Sequence, residues 1–334
     1  MGIENSKQPN TQAYVDAIRS GDRVLLSRAI TLVESQLEKH QKQAEEILEK
    51  CMPFSGNSFR MAITGTPGVG KSSLIESFTK VLLSEGHKVA ILAIDPSSQK
   101  TKGSILGDKT RMQELSMNEN VYIRPSPAGN TLGGVAAKTR EAIFLCEAAG
   151  FDFIIIETVG VGQSEITVHG MVDFFTLVLQ PNAGDELQGI KRGIVEMADL
   201  ILINKSEEPH RELARKSALY YKNALHYLPA KESNWQPDVL LCSALQSTGL
   251  QQMYQLTQKF KEQSLDFIQQ NRFRQSSLWY QNQLQLALER WFIQTDGVEQ
   301  FIQKQEQLLL EGKSTSAKSC RDTLEFFKSQ IQNK

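Results

Sequence analysis

The chain has 334 residues, 40% of them hydrophobic, and 37 Lys plus Arg against 38 Asp plus Glu give a formal net charge of −1. That is enough for one large α/β domain with appended elements, and the balanced charge excludes the broad basic surface that would make nucleic acid a main partner. No run approaches the roughly 18 apolar residues of a membrane span, and the polar start lacks the apolar core of a signal peptide.

Four scattered cysteines, Cys51, Cys146, Cys242 and Cys320, show no C-x-x-C spacing. They read as free thiols of a reducing compartment, so a cytoplasmic protein is expected. The five histidines are equally scattered, and no metal-delivery tract is visible.

Over residues 11–50 apolar side chains recur at helical spacing (Val15, Ile18, Leu25, Leu26, Ala29, Ile30, Val33 and Leu37), and Gly21-Asp22 divides the pattern into two helices. Their stripe is expected to pack on the domain that follows or on a second subunit. A linker at 52–57 leads into Phe59-Arg60-Met61-Ala62-Ile63-Thr64, a short apolar strand. Directly after it, Gly65-Thr66-Pro67-Gly68-Val69-Gly70-Lys71-Ser72-Ser73 fits G-x-x-x-x-G-K-[ST] without a mismatch, and helical spacing follows over 74–83. The glycines let the backbone turn its N–H groups inward, where they and the helix start can hold a polyphosphate. Lys71 would reach the terminal phosphates and the Ser72 hydroxyl would join a Mg²⁺ shell. A nucleotide hydrolase or transferase is the expected class.

Residues 88–95 form a nearly continuous apolar run ending in Asp95, the pattern of a strand buried on both faces of a parallel sheet, with its acid at the ligand-binding edge. The polar loop over 96–109 is too long for a plain connection. It reads as a nucleotide-sensing switch, with Asp108 a second acid near the metal. A short strand at 121–124 and a helix over 133–149 follow. Residues 151–157 then give another buried strand ending in Glu157, before Thr158-Val159-Gly160-Val161-Gly162-Gln163-Ser164-Glu165. An acid opposite the phosphate loop is placed to hold Mg²⁺ or polarise an attacking water, and Gly160 can offer its N–H to a γ-phosphate. Gln163 is the candidate for positioning that water.

A strand over 174–179 precedes Gly184-Asp185-Glu186-Leu187-Gln188-Gly189-Ile190-Lys191-Arg192-Gly193, a charged loop entering a helix. The strand Leu200-Ile201-Leu202-Ile203 runs into Asn204-Lys205-Ser206-Glu207, close to the guanine-reading pattern N-K-x-D. An acid there accepts from the ring N1–H and the 2-amino group, a donor pair that adenine lacks. After a helix over 209–228, residues 239–245 read as a last strand, and Ser243-Ala244-Leu245 with Gly249 match the S-A-x loop whose backbone meets the guanine carbonyl. From residue 250 onward the pattern is helical and polar, with no compact core evident. Its apolar set, Leu278, Trp279, Tyr280, Leu284, Leu286, Leu288 and Trp291-Phe292-Ile293, needs a second copy or the sheet to cover it.

Taken together, Gly21-Asp22-Arg23 with Arg28-Ala29-Ile30-Thr31-Leu32-Val33-Glu34-Ser35, the phosphate loop, Asp95-Pro96-Ser97-Ser98, Gly103-Ser104-Ile105-Leu106-Gly107-Asp108-Lys109-Thr110-Arg111-Met112, the stretch from Glu157 to Glu165 and that from Gly184 to Lys191 resemble the MeaB/ArgK family of P-loop GTPases. The resemblance implies an α/β P-loop NTPase fold, a mostly parallel sheet flanked by helices. Residues 1–57 would be an N-terminal helical extension, 58–265 the GTPase domain, and 266–334 a C-terminal helical arm for dimerisation.

It further implies a homodimer that hydrolyses GTP to GDP and phosphate with Mg²⁺. Such a protein serves an adenosylcobalamin-dependent acyl-CoA mutase, typically methylmalonyl-CoA mutase, by protecting it and gating cofactor loading. By the same resemblance Asp95, Asp108 and Glu157 surround the metal with Ser72, and Lys191 with Asp185 lies in a further switch loop coupling hydrolysis to the mutase. Two positions depart from the family: Glu207 stands for Asp, and Gln99-Lys100-Thr101-Lys102 replaces a more apolar, glycine-containing stretch. The rival readings are a P-loop ATPase or kinase associated with lysine, arginine and ornithine transport, and a metal-delivery module, against which the scattered Cys and His argue.

Overall fold

The structure, a computed structural model, describes residues 9–35, 37–94, 113–125, 132–158, 164–181 and 192–332. Packing divides the chain into two compact units, Met1–Gln270 and Asn271–Lys334. The first begins with helices α1 (Thr11–Arg19), α2 (Arg23–Glu34) and α3 (Glu38–Cys51). The expected break falls at Gly21, whose φ of +83° suits glycine. Asp22 then caps α2, accepting from the Val24 and Leu25 N–H groups at 2.8 and 3.0 Å.

Seven strands follow: β1 (Phe59–Thr64), β2 (Val89–Ile94), β3 (Val121–Arg124), β4 (Phe153–Thr158), β5 (Phe174–Leu179), β6 (Leu200–Ile203) and β7 (Asp238–Leu241). They form one sheet in the order β3-β2-β4-β1-β5-β6-β7, every neighbouring pair parallel. The strand order therefore reverses around central β1, and the carboxyl ends at such a reversal are where open α/β sheets take ligands. The parallel sheet flanked by helices is the architecture expected from the apolar runs.

Because side chains alternate along a strand, each strand feeds two cores. Ala62, Ala90, Leu92, Ile154, Ile156 and Phe175 face the side covered by α1 to α3 and by α6 (Leu132–Ala148). Met61, Ile63, Ile91, Ile155 and Phe174 face α4 (Lys71–Ser84) and α10 (Leu250–Gln263), through Leu74, Ile75, Phe78, Met253 and Phe260. Each such large apolar side chain contributes about 1.5–3 kcal/mol on burial. Between these helices in sequence lie α5 (Gln113–Met117), α7 (Ser164–His169), α8 (Arg192–Met197) and α9 (Arg211–Leu225). The α9 residues Ala214, Ala218 and Tyr221 cover the β6–β7 end of the sheet.

Several boundaries differ from expectation, and the stretch over 11–50, expected as two helices, forms three. The strand expected over 151–157 runs Phe153–Thr158: ahead of it the Asp152 carboxylate accepts from the Lys88 N–H at 2.8 Å, and at its end Thr158 still pairs with Ile94 of β2. The strand expected over 239–245 stops at Leu241, because Ser243 and Thr248 exchange both backbone hydrogen bonds at 3.1 Å and close a tight loop.

The second unit holds the remainder of α11 (Leu265–Gln294), α12 (Val298–Leu310) and α13 (Ser316–Gln332). As the sequence reading expected, no compact core forms among its described residues, where Val298 is the one buried apolar side chain; its helices meet through partly exposed aromatic pairs. Phe301 and Phe326 stack with centroids 4.5 Å apart, and Trp291 and Phe292 both meet Phe327 edge-on at 5.2 and 4.9 Å.

Candidate functional site

The phosphate loop springs from β1 and ends at α4, whose first residue is Lys71. Close approach dictates the glycines at two positions. A Cβ on Gly65 would lie 2.2 Å from the Val178 carbonyl oxygen, and one on Gly70 would lie 2.7 Å from Asn204 Nδ2. Val69 is fully buried and anchors the loop from below. The positive end of the α4 dipole faces the loop's concave side, which suits an anion.

Lys71 is only 9% exposed. Its Nζ donates to the Gly65 and Thr66 carbonyls at 2.8 and 3.2 Å, which holds the charge over the loop. Ser72 Oγ donates to Glu157 Oε1 at 3.1 Å, so a hydroxyl and a carboxylate meet where α4 begins and β4 ends. Behind them the Thr158 hydroxyl donates to that of Thr64 at 2.7 Å, tying the ends of β4 and β1 together.

From the end of β6, Asn204 and Lys205 clasp the loop on its other side. Asn204 Nδ2 donates to the Val69 carbonyl at 2.8 Å, and its Oδ1 accepts from the Ala244 N–H at 3.1 Å. Lys205, at φ +58°, sends Nζ to the Gly68 carbonyl at 2.7 Å. Glu207 stands next to this clasp, and its Oε2 is buried with no hydrogen-bond partner among the described residues. Burial, with the Glu207 charge nearby, pushes the Cys242 thiol up to about 12, so Cys242 is an inert neutral donor here. The Ser243-Ala244-Leu245 loop closes the site: Ser243 Oγ accepts from the Gln246 N–H at 3.0 Å, and Ser77 Oγ on α4 donates to the Ala244 carbonyl at 2.8 Å.

The structure thus brings together Gly65 to Ser73, Glu157, Asn204, Lys205, Glu207 and Ser243 to Leu245 at the carboxyl edge around β1. Asp95, Asp108, Gly160, Gln163, Asp185 and Lys191 lie outside the described residues. The sequence reading missed Thr64, Thr158 and Ser77. Hydroxyls at the ends of otherwise apolar strands are a weak signal for the first two; Ser77 carries none.

A parallel sheet with a mismatch-free phosphate loop after its central strand, clasped from a second strand end by Asn and Lys, defines a P-loop nucleoside triphosphatase. Residues 26–295 match the family described as methylmalonyl Co-A mutase-associated GTPase MeaB, and the chain belongs to that family. It is 46% identical to the GTPase ArgK of Escherichia coli (strain K12), over 80% of this chain and 81% of that one. It is 40% identical to the mitochondrial methylmalonic aciduria type A homolog of Mus musculus, over 98% of this chain and 82% of that one. A crystal structure of a LAO/AO transport system kinase superposes with a TM-score of 0.76 at 33% identity, over 98% of this chain and 100% of that one. The chain is accordingly a GTPase.

Proposed function

We propose that this GTPase binds GTP with Mg²⁺ at the phosphate loop, hydrolyses it to GDP and phosphate, and acts as chaperone to an adenosylcobalamin-dependent acyl-CoA mutase of the methylmalonyl-CoA mutase type, gating cofactor loading and protection. The observation that carries the nucleotide part is the Asn204 clasp, in which one side chain joins the phosphate loop at Val69 to the base loop at Ala244. The mutase part is supported by the family's description and by the mouse relative's name.

In this reading the Lys71 ammonium leaves its loop carbonyls for the β- and γ-phosphate oxygens, and the loop amides hold the rest of the chain of phosphates. Glu207 reads the guanine N1–H and 2-amino group with the carboxylate whose Oε2 lacks a protein partner. The Ser72 hydroxyl and Glu157 carboxylate are hard oxygen donors 3.1 Å apart, a set that fits Mg²⁺. They would hold the ion together with Asp95 and Asp108, and bound there it supplies neutralisation of phosphate charge. Glu157 and Gln163 orient the attacking water, Gly160 senses the γ-phosphate, and Asp185 and Lys191 pass its loss to the mutase.

The protein would act in the cytoplasm as a homodimer through residues 266–334. In support, Phe273, Tyr280, Leu284, Leu288 and Trp291 recur at helical spacing on α11 and are all exposed. Among the described residues no helix is long and apolar enough to cross a membrane, and no nucleic-acid partner is proposed.

Co-purification with an adenosylcobalamin-dependent mutase, in GDP and in a non-hydrolysable GTP analogue, tests the role. Association that depends on the nucleotide and GTP turnover that rises with the mutase are expected; turnover unchanged by the mutase contradicts it. The transport-kinase relative favours a second reading, an ATPase or kinase associated with lysine, arginine and ornithine transport. Tighter binding of ATP than GTP, or phosphate transfer to a protein, would select that one.

A further inference from the structure

Ser77 sits within α4, where a serine ordinarily returns its hydroxyl to the carbonyl of the preceding turn or to water. It does neither. Its hydroxyl reaches the Ala244 carbonyl, 167 residues along the chain, at 2.8 Å. On the other side of the same residue the Ala244 N–H is taken by Asn204 Oδ1 at 3.1 Å. Both peptide groups flanking Ala244 are therefore fixed, one by β6 and one by α4.

The consequence falls on the next residue. The cis peptide bond of the chain is at Glu208-Pro209, so the 244–245 peptide is trans. In a trans peptide the carbonyl of one residue and the N–H of the next point in opposite directions. With the Ala244 carbonyl drawn onto α4, the Leu245 N–H is aimed away from α4. Among the described residues that N–H has no hydrogen-bond partner, and the Leu245 side chain is 85% exposed. The Ser243–Thr248 pairing and the Gln246 N–H bond to Ser243 Oγ leave the peptide little room to reorient.

We propose that Ser77 is a positioning residue that makes this site select purines with an oxygen at carbon 6. Resting on the guanine reading above, the Leu245 N–H donates to that keto oxygen. An adenine ring presents an amino group at the same place, so donor would face donor and a polar group would be left unpaired, which is how a hydrogen-bonding site rejects a near-isostere. Two separate devices then read the base: the peptide held by Ser77 reads carbon 6, and Glu207 reads N1 and the 2-amino group.

Nucleotides that differ at one position separate the two devices. The full chain is titrated calorimetrically, with magnesium, against GTP, ITP and ATP; ITP keeps the 6-oxygen and lacks the 2-amino group. Ser77→Ala is expected to weaken GTP and ITP by the same factor, about 3- to 10-fold, the worth of one hydrogen bond. ATP should be unchanged, so the GTP-to-ATP preference falls by that factor while the GTP-to-ITP ratio stays put. Ser77→Thr, which keeps the hydroxyl, should restore the preference. If Ser77→Ala does not fold, Ser77→Cys has nearly the same shape with a weak donor and must show the same pattern. GTP and ATP weakened in equal proportion, or a GTP-to-ATP preference left intact, would overturn the assignment. A wild-type chain that prefers GTP while Ser77→Ala loses nothing refutes this proposal alone. A wild-type chain that binds no guanine nucleotide refutes the reading beneath it and this proposal together.

Discussion

The Ser72 hydroxyl donates to the Glu157 carboxylate across 3.1 Å, so the first turn of α4 and the carboxyl end of β4 meet at one point. The parallel register sets Glu157 opposite Ile63, two residues before the phosphate loop begins. In the proposed reading an acid fixed there would contribute to chemistry more than to holding the nucleotide. Glu157→Gln should lower the single-turnover rate of GTP hydrolysis by about 10²-fold or more while GTP affinity changes less than about tenfold. Rapid-quench kinetics beside calorimetric binding checks this, and an unaltered rate removes Glu157 from the reacting centre.

The glycines of the loop are not equivalent. A Cβ at Gly65 collides with the Val178 carbonyl at 2.2 Å, whereas one at Gly68 meets nothing within 4 Å and suffers only the strain of φ +86°. Gly65→Ala should cost about 2–4 kcal/mol in urea unfolding, because backbone must move, and Gly68→Ala about 1–2 kcal/mol. Equal costs would show that the β5 contact does not shape the loop.

The phosphate loop was legible because its requirements are local: glycines, Lys71 and Ser72 sit within one turn between a strand and a helix. The parallel sheet was legible because strands buried on both faces read as unbroken apolar runs. The Asn204 bond to Val69 spans 135 residues, and it exists only because the sheet order places the end of β6 beside the loop. No local pattern encodes that. The same holds for the Thr64–Thr158 hydroxyl pair and for the aromatic pairs of the second unit, where α13 offers Phe326 to Phe301 of α12 and Phe327 to Trp291 and Phe292 of α11. The end of β4 at Thr158, not Glu157, was hidden because it depends on Thr158 still pairing with Ile94 of β2, a partner far away in sequence.

At the opposite edge of the sheet, the buried Glu147 carboxylate accepts from Arg60 Nε and Nη2 at 2.8 and 3.0 Å, from Ser58 Oγ at 2.6 Å and from the Gly56 N–H at 2.7 Å. Burial pushes its pKa up, but the Arg60 charge and these hydrogen bonds outweigh it and hold the carboxyl below its ordinary value of 4.5. The folded state binds this proton less tightly than the unfolded chain. The stabilisation is therefore complete above about 4.5 and is lost as pH falls through the depressed folded value. Glu147→Gln should cost about 3–5 kcal/mol at neutral pH, because Arg60 is left buried without its countercharge, and should flatten the acid limb of the stability curve. Urea unfolding across the acid range reads both effects.

The exposed stripe of α11 gives the dimer proposal a direct check. Leu284→Asp with Leu288→Asp places two charges in the middle of it. Sedimentation should report a shift from two copies to one, with GTP binding to the first unit retained. A mass unchanged by the pair of substitutions moves the interface elsewhere.

The most direct measurement is calorimetric titration of the purified full chain with GTP, GDP and ATP in the presence and absence of magnesium. The account predicts one guanine nucleotide per chain, GTP held more tightly with magnesium than without, and ATP held weakly. Absence of measurable guanine-nucleotide binding, or preference for ATP, would contradict it.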